Sequence, residues 1–357
     1  MQVTPLKKIL IIVPTLECGG LERNVSIICN NIDTGKLDVT LAVLNNAHPF
    51  FTITNPGVKL IDLGIKNVRK SLFAIVKLSK KIKPDIILTT ANHLNLYLAI
   101  FKRALPKGMK LVARESSIVS INTEHAPFPK LYHWLLRRFY KNTDQVICQS
   151  EYMLNDLASH YQIPQSKMRV IYNPVIAPVV SPGMKTVNAV AELVTVARLS
   201  DEKGLDRLIR AVSHLKIPYR FTIIGEGSSR AALQDLINSL SLQQNVFLAG
   251  SSEKPFAVVQ SPSLFLMGSY YEGFPNAMLE ALAAGVPVVA FKAPGGISEL
   301  LKNKENGLLV ESNDENKFAE TIENALTFPF NREEIKAITL QRFNINAIMK
   351  QWYDILD

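Results

Sequence analysis

"SYYEGFPNAMLEALAAGVPVVA", residues 269–290, contains a loop, a helix and the start of a strand in one stretch. Gly273 and Pro275 break the chain ahead of an apolar run, which predicts a helix from about Asn276 to Ala284, halted by Gly285 and Pro287. "SLFLMGS" before it and "PVVAF" after it read as strands, so the stretch belongs to a strand-helix-strand unit. Glu272 lies in the loop. Glu280 lies inside the helix beside Met278, Leu279, Ala281 and Leu282, where an unpaired carboxylate would be costly, so it needs a partner.

The same unit recurs throughout the chain. In the first half the expected strands are "ILIIVPT", "VTLAVL", "VKLIDL", "DIILTT", "KLVARE" and "QVICQS", with helical segments at Glu22–Ile32, Ser71–Lys83 and Leu94–Leu105. The pattern restarts with "ELVTVAR", "RFTIIGEG", "NVFLAG", "SLFLMGS", "PVVAF" and "GLLVE". Such alternation predicts an α/β chain of two doubly wound, Rossmann-like parallel sheets. Between them, Tyr172–Val190 carries Pro174, Pro178, Pro182 and Gly183, a density that forbids a helix and favours an extended connector. The expected domains are therefore 1–175 and 176–340, with 341–357 a terminal helix returning to the first.

The 357 residues, 47% hydrophobic and 20% charged, suffice for two cores and argue against disorder. Cys18, Cys29 and Cys148 have neither disulfide nor metal-ligand spacing, so a reducing compartment is expected. The apolar run Ile9–Val13 is closed by Pro14 and is too short for a signal core. No other stretch reaches the ~20 apolar residues of a span, so a cytoplasmic location is expected. Charge is unevenly divided: residues 1–175 hold 23 Lys+Arg against 11 Asp+Glu, and residues 176–357 hold 17 against 20. A cationic half suits an anionic partner.

Open α/β sheets bind ligands at the carboxyl ends of their strands, and three segments there carry chemistry. Gly19 and Gly20 follow the first strand and allow a tight turn into a helix amino end, which favours phosphate. The three-glycine dinucleotide fingerprint is missing, and no acidic residue ends the second strand to hold a ribose, which disfavours a nicotinamide cofactor. In "VARLSDEKG", Arg198 and Lys203 flank a turn and suit a diphosphate that gains charge as it leaves. A glycosidase pair needs carboxylates ~5–9.5 Å apart, whereas eight helical residues span ~12 Å. Separate tasks for Glu272 and Glu280 fit better: the first accepts hydrogen bonds from sugar hydroxyls and the second from ribose.

"EGFPNAMLE" resembles the Glu-x7-Glu motif of the retaining nucleotide-sugar glycosyltransferases of family 4. The early "GG", "VARLSDEKG", "IIGEG" and "GVPVVA" fit that family's order along nearly the whole chain. The resemblance implies a GT-B fold, an amino-terminal acceptor domain and a carboxy-terminal donor domain. It also implies a hexosyltransferase-type reaction with retention, a nucleotide-sugar co-substrate (UDP favoured) and no metal. Arg198 and Lys203 match the diphosphate ligands and Glu272 the carboxylate on the donor sugar. Gly273, Phe274, Pro275, Asn276, Met278 and Leu279 match the stretch beside sugar and phosphates. Glu280 matches the ribose ligand, Gly225, Glu226 and Gly227 the loop near the base, and Gly19 and Gly20 the amino-domain loop.

One departure stands out. Many members carry a histidine after the fifth strand, where this chain reads "KLVARESSIVSINTEH". Either Glu115 or Ser116 takes that role beside Arg114, or His125 folds back, or the position is dispensable; His93 follows the fourth strand.

"PKLYHWLLRRFYKNTDQ" places Leu131, Trp134, Leu135, Arg138 and Phe139 at helical spacing among Lys130, Arg137 and Lys141, and Lys77, Lys80, Lys81 and Lys83 add to that region's charge. This face suits an anionic membrane surface. The expected enzyme is peripheral, at the cytosolic side of the inner membrane, and glycosylates a lipid-linked acceptor for O-antigen, capsule or lipopolysaccharide. A soluble acceptor, or an inactive transferase-like binding protein, are the alternatives. Nucleic acid is not an expected partner, because the basic segments lack a recognition motif.

Overall fold

The computed structural model describes residues 5–176, 190–252, 254–259, 261–311 and 313–356. Most of the proline-rich connector, 177–189, lies outside the described residues. The chain forms two compact units, Met1–Pro174 with Ile345–Asp357, and Val175–Asn344.

In the first unit the order is β1 (Lys7–Val13), α1 (Gly20–Asn31), β2 (Leu37–Val43), β3 (Lys59–Asp62), α2 (Leu72–Ile82), β4 (Ile86–Thr89), α3 (Asn92–Ile100), β5 (Lys110–Arg114), α4 (Val119–Glu124), α5 (Pro129–Phe139), β6 (Gln145–Cys148), α6 (Glu151–Tyr161) and β7 (Met168–Val170). The seven strands are parallel, in the order β3-β2-β1-β4-β5-β6-β7. Strand alternation sorts the core into two faces: Ile9, Ile11 and Val13 enter one cluster, while Leu10 and Ile12 enter the other with Ile75, Leu94 and Leu98.

The second unit runs β8 (Ala191–Val196), α7 (Leu205–Val212), β9 (Tyr219–Ile224), α8 (Arg230–Ser239), β10 (Val246–Gly250), α9 (Pro255–Val258), β11 (Leu264–Met267), α10 (Asn276–Ala283), β12 (Val288–Phe291), α11 (Ile297–Leu300), β13 (Gly307–Val310), α12 (Glu315–Thr327) and α13 (Arg332–Phe343). Its six parallel strands follow the order β10-β9-β8-β11-β12-β13. Phe291 and Phe318 stack at 4.2 Å between β12 and α12.

A last helix, α14 (Ile345–Leu356), belongs to the first unit. Ile348, Met349, Trp352, Ile355 and Leu356 join the cluster of Val25, Ile28 and Cys29 from α1, and the Asp33 amide donates to Tyr353 Oη at 2.9 Å. The crossing falls at Asn344/Ile345 rather than at 340/341, because α13 continues to Phe343, whose ring lies 6.1 Å from that of Phe274 in the second unit. Strand β7 adds a three-residue edge strand beyond those the sequence predicts. The helix expected over Leu94–Leu105 is α3 followed by a separate turn at Lys102–Ala104.

Candidate active site

In the second sheet, connections leave β8 toward β9 on one side and β11 toward β12 on the other, so the direction of winding reverses between β8 and β11. That reversal opens a crevice at the carboxyl ends of these two neighbours. Lys203 comes from the loop after β8, Glu272 from the loop after β11, and Lys203 Nζ donates to Glu272 Oε1 at 2.7 Å. The side chains are 20% and 12% exposed, so the pair is shielded yet reachable. Ser269 Oγ donates to the same Oε1 at 2.7 Å. The Glu272 amide donates to the Pro294 carbonyl at 3.0 Å, and the Gly296 amide to the Glu272 carbonyl at 3.1 Å, anchoring the loop beside β12.

Lys203 ends a single 3-10 turn, Asp201–Lys203, and Gly204 then takes φ +54 before α7 begins. A side chain at Gly204 would meet the Gly268 carbonyl, and one at Gly268 the Gly204 carbonyl. Glycine at both positions is what lets the two loops touch.

Arg198 is the more open of the two cations after β8. Its side chain is 70% exposed, and Nη2 donates to Glu202 Oε1 at 3.3 Å. Burial works against the Glu202 carboxylate, but the Ser200 hydroxyl at 2.7 Å, its own backbone amide, Arg198 and Lys203 together hold its pKa below the ordinary value. The backbone around Arg198 is fixed by the neighbouring "GEG" loop: the Ala197 amide donates to Ile224 O at 3.0 Å and the Leu199 amide to Glu226 O at 2.9 Å. A Cβ at Gly225 (φ +152) would strike the Ala197 carbonyl, and one at Gly227 the Leu199 backbone. Both glycines therefore serve close approach of main chains. The Glu226 side chain points to solvent and accepts from Arg230 Nη1 at 2.9 Å.

Helix α10 starts at Asn276 beyond the Gly273-Phe274-Pro275 bend, and Leu279 N donates to Pro275 O at 3.0 Å. Phe274, Met278 and Leu279 are buried, leaving backbone and Asn276 as what this segment can present. Glu280 is 7% exposed.

In the first unit, α1 opens at Gly20, and the Glu22 carboxylate lies over Gly19, accepting from Thr15 Oγ1 at 3.4 Å. The residues expected on the acceptor side separate. Ser116 is half-buried in the loop after β5, while His93 and His125 are exposed at the ends of α3 and α4. Arg114 and Glu115 are buried, at 1% and 0% exposure. Arg114 Nη2 donates to Asn173 Oδ1 at 2.6 Å; Glu115 Oε1 accepts from Tyr140 Oη and, at 2.7 Å, from Asn95 Nδ2. Burial, opposed most by the bond from Asn95, pushes the Glu115 carboxyl up to about 7.

Sequence reasoning missed Glu202, Ser269 and Arg207. The first two sit beside singled-out residues in "SDEKG" and "SYYEG". Arg207's only signal is a cation inside the buried helical run "LDRLIRA". Among the described residues, no three His, Cys, Asp or Glu side chains group as metal ligands.

Residues 18–177 match the family model described as Glycosyltransferase Family 4, and residues 188–342 match Glycosyl transferases group 1. The chain is 27% identical over 339 residues, 90% of each chain, to the N-acetylgalactosamine-N,N'-diacetylbacillosaminyl-diphospho-undecaprenol 4-alpha-N-acetylgalactosaminyltransferase of Campylobacter jejuni. Among solved structures it resembles the lipopolysaccharide outer core galactosyltransferase WaaB, with TM-score 0.76, 20% identity, and 97% and 98% of the two chains covered. Anabaena HepE in complex with UDP-glucose gives TM-score 0.78 and 20% identity, with 98% and 99% covered. These likenesses agree with the GT-B architecture of two parallel-sheet units.

Proposed function

Since the chain carries a Glycosyltransferase Family 4 domain followed by a Glycosyl transferases group 1 domain, and is thereby a transferase enzyme of the GT-B fold, we propose that it moves a sugar with retention from a UDP-sugar to a lipid-linked glycan acceptor. The process it serves, on this reading, is bacterial surface polysaccharide synthesis. The observation that carries the proposal is the Lys203–Glu272 contact at the reversal between β8 and β11. A cation there stabilises the charge that grows on a departing diphosphate, and a carboxylate beside it orients the sugar being released. Arg198 adds a second, exposed cation after the same strand, and the two take the part a metal would otherwise play at the diphosphate. The α10 amino end turns the positive end of its dipole toward phosphate oxygens, and Glu280 receives the ribose hydroxyls.

The named relatives support the choice of substrates. The Campylobacter enzyme's name specifies a diphospho-undecaprenol acceptor, and the HepE structure contains UDP-glucose. The acceptor's lipid would place the enzyme at the inner membrane's cytosolic face, held there by the basic first half of the chain. Among the described residues no helix is long and apolar enough to cross a membrane.

The test is thermal unfolding of the purified protein with UDP-, GDP- and ADP-sugars, followed by NMR of the product's anomeric proton. A rise in Tm selective for UDP-sugars and an unchanged anomeric configuration are expected. A selective response to GDP- or ADP-sugars would correct the donor. No response to any would remove the donor-site reading.

A further inference from the structure

Arg207 lies on α7, one turn after Lys203, and is 5% exposed. Burying a guanidinium is costly unless its donors are used. Here they are: Nε donates to the Gly268 carbonyl at 2.5 Å, Nη2 to the Ser269 carbonyl at 2.6 Å and Nη1 to Asn313 Oδ1 at 3.1 Å. The Tyr270 and Phe291 ring centroids each lie 4.2 Å from Cζ. Burial lowers its pKa, with the charges of Tyr270, Asp206 and Glu315 opposing.

The carbonyls it holds are the first two after β11. Ser269, fixed through its carbonyl by Arg207, gives its hydroxyl to Glu272 Oε1, the oxygen that also accepts from Lys203. Arg207 thus connects the helix that follows the Lys203 loop to the backbone that leads into the Glu272 loop. The Gly204 and Gly268 main chains touch at the same level, leaving no room for a side chain to do this work.

We infer that Arg207 is a positioning residue: it clamps the strand-end backbone at 268–269 onto α7 and so sets the Lys203–Glu272 contact. That the contact serves donor chemistry rests on the function proposed above; that Arg207 sets it does not. A lysine in its place would keep a charge but lack the planar fork that reaches two carbonyls while lying between two rings.

Lys203 reactivity toward acetic anhydride, read by mass spectrometry well below each variant's Tm, tests the clamp without reference to activity. Lys203 should react more slowly than the exposed lysines in the wild type, several-fold faster in Glu272→Gln and Arg207→Met alike, and at an intermediate rate in Arg207→Lys. Wild-type reactivity of Lys203 in both Arg207 variants overturns the inference, and Arg207→Lys decides if Arg207→Met fails to fold. In sugar transfer, Arg207→Met should lower kcat about tenfold or more with little change in donor KM, the loss expected when a reacting group is misplaced. Arg207→Met in an Glu272→Ala background should cost nothing further; fully multiplicative losses would overturn a role exerted through Glu272. If Glu272→Ala retains wild-type turnover while Arg207→Met frees Lys203, the catalytic reading has failed and the clamp stands.

Discussion

Lys203 and Glu272 form an ion pair whose value to the enzyme differs from its value to stability. At 20% and 12% exposure each group is partly desolvated, and their attraction offsets a cost that neither would bear alone. Under the proposed mechanism the same two groups meet diphosphate and sugar, so each is held in place before the substrate arrives. Lys203→Ala and Glu272→Ala should therefore each lower kcat/KM about 10²-fold or more, as removal of a transition-state charge partner does. Arg198, exposed and paired with Glu202 at 3.3 Å, can turn toward a ligand, and Arg198→Ala should act in the same direction. Steady-state transfer assays on the three variants check this. Wild-type rates in all three would remove the site from the reaction, whatever their effect on Tm.

At the level of single elements, the most unusual chemistry lies where β5 meets α3 and the turn after α5. Glu115 is fully buried there against Asn95 and Tyr140, with its pKa raised to about 7. The unfolded chain releases this proton near the ordinary carboxylate value while the folded chain retains it to about pH 7, so between those two values the folded state binds more protons and stability falls as pH rises. Below that window the group costs nothing further; above it the folded state carries a buried charge. Glu115→Gln removes that penalty, so its Tm relative to wild type should rise from pH 5 to pH 8, by an amount reflecting on the order of 3 kcal/mol. A Tm difference flat across that range would place the titration elsewhere. Legibility in the sequence follows the same physics. The central strands could be read because they are short apolar runs buried on both faces, and α10 because Pro275 and Gly285 bracket it. β7 escaped because three residues, "MRV", carry no period. Lys203 and Glu272 were each legible from a motif, whereas Arg207 and the burial of Glu115 were not: both depend on which backbone carbonyls and side chains tertiary packing brings near, and no local spacing encodes that.

For the molecule as a whole, the decisive asymmetry is charge: the first 175 residues carry an excess of cations and the remainder a slight excess of anions. On the first unit this charge accompanies exposed apolar side chains. Phe128, Leu131 and Trp134 protrude at the start of α5, followed on the same helix by the exposed Arg137 and Arg138, and Phe73 protrudes from α2 near Lys77, Lys80 and Lys81. Leu131 and Trp134 lie about one turn apart on α5 and Phe128 directly precedes it, so the start of α5 can enter a headgroup layer while its arginines remain with lipid phosphates. The protein supplies its own probe, because it has only two tryptophans and the other, Trp352, is buried in the first unit's core. Emission should therefore shift to the blue on vesicles containing phosphatidylglycerol or cardiolipin and stay fixed on neutral phosphatidylcholine. The shift should shrink as salt is raised well beyond 0.15 M, where screening acts within ~8 Å and less. Leu131→Ser should weaken vesicle binding about tenfold, the equivalent of withdrawing one apolar side chain from a buried setting. Equal binding to neutral and anionic vesicles, or none at low salt, would separate the basic half from the membrane and leave its charge to serve a soluble, phosphorylated acceptor.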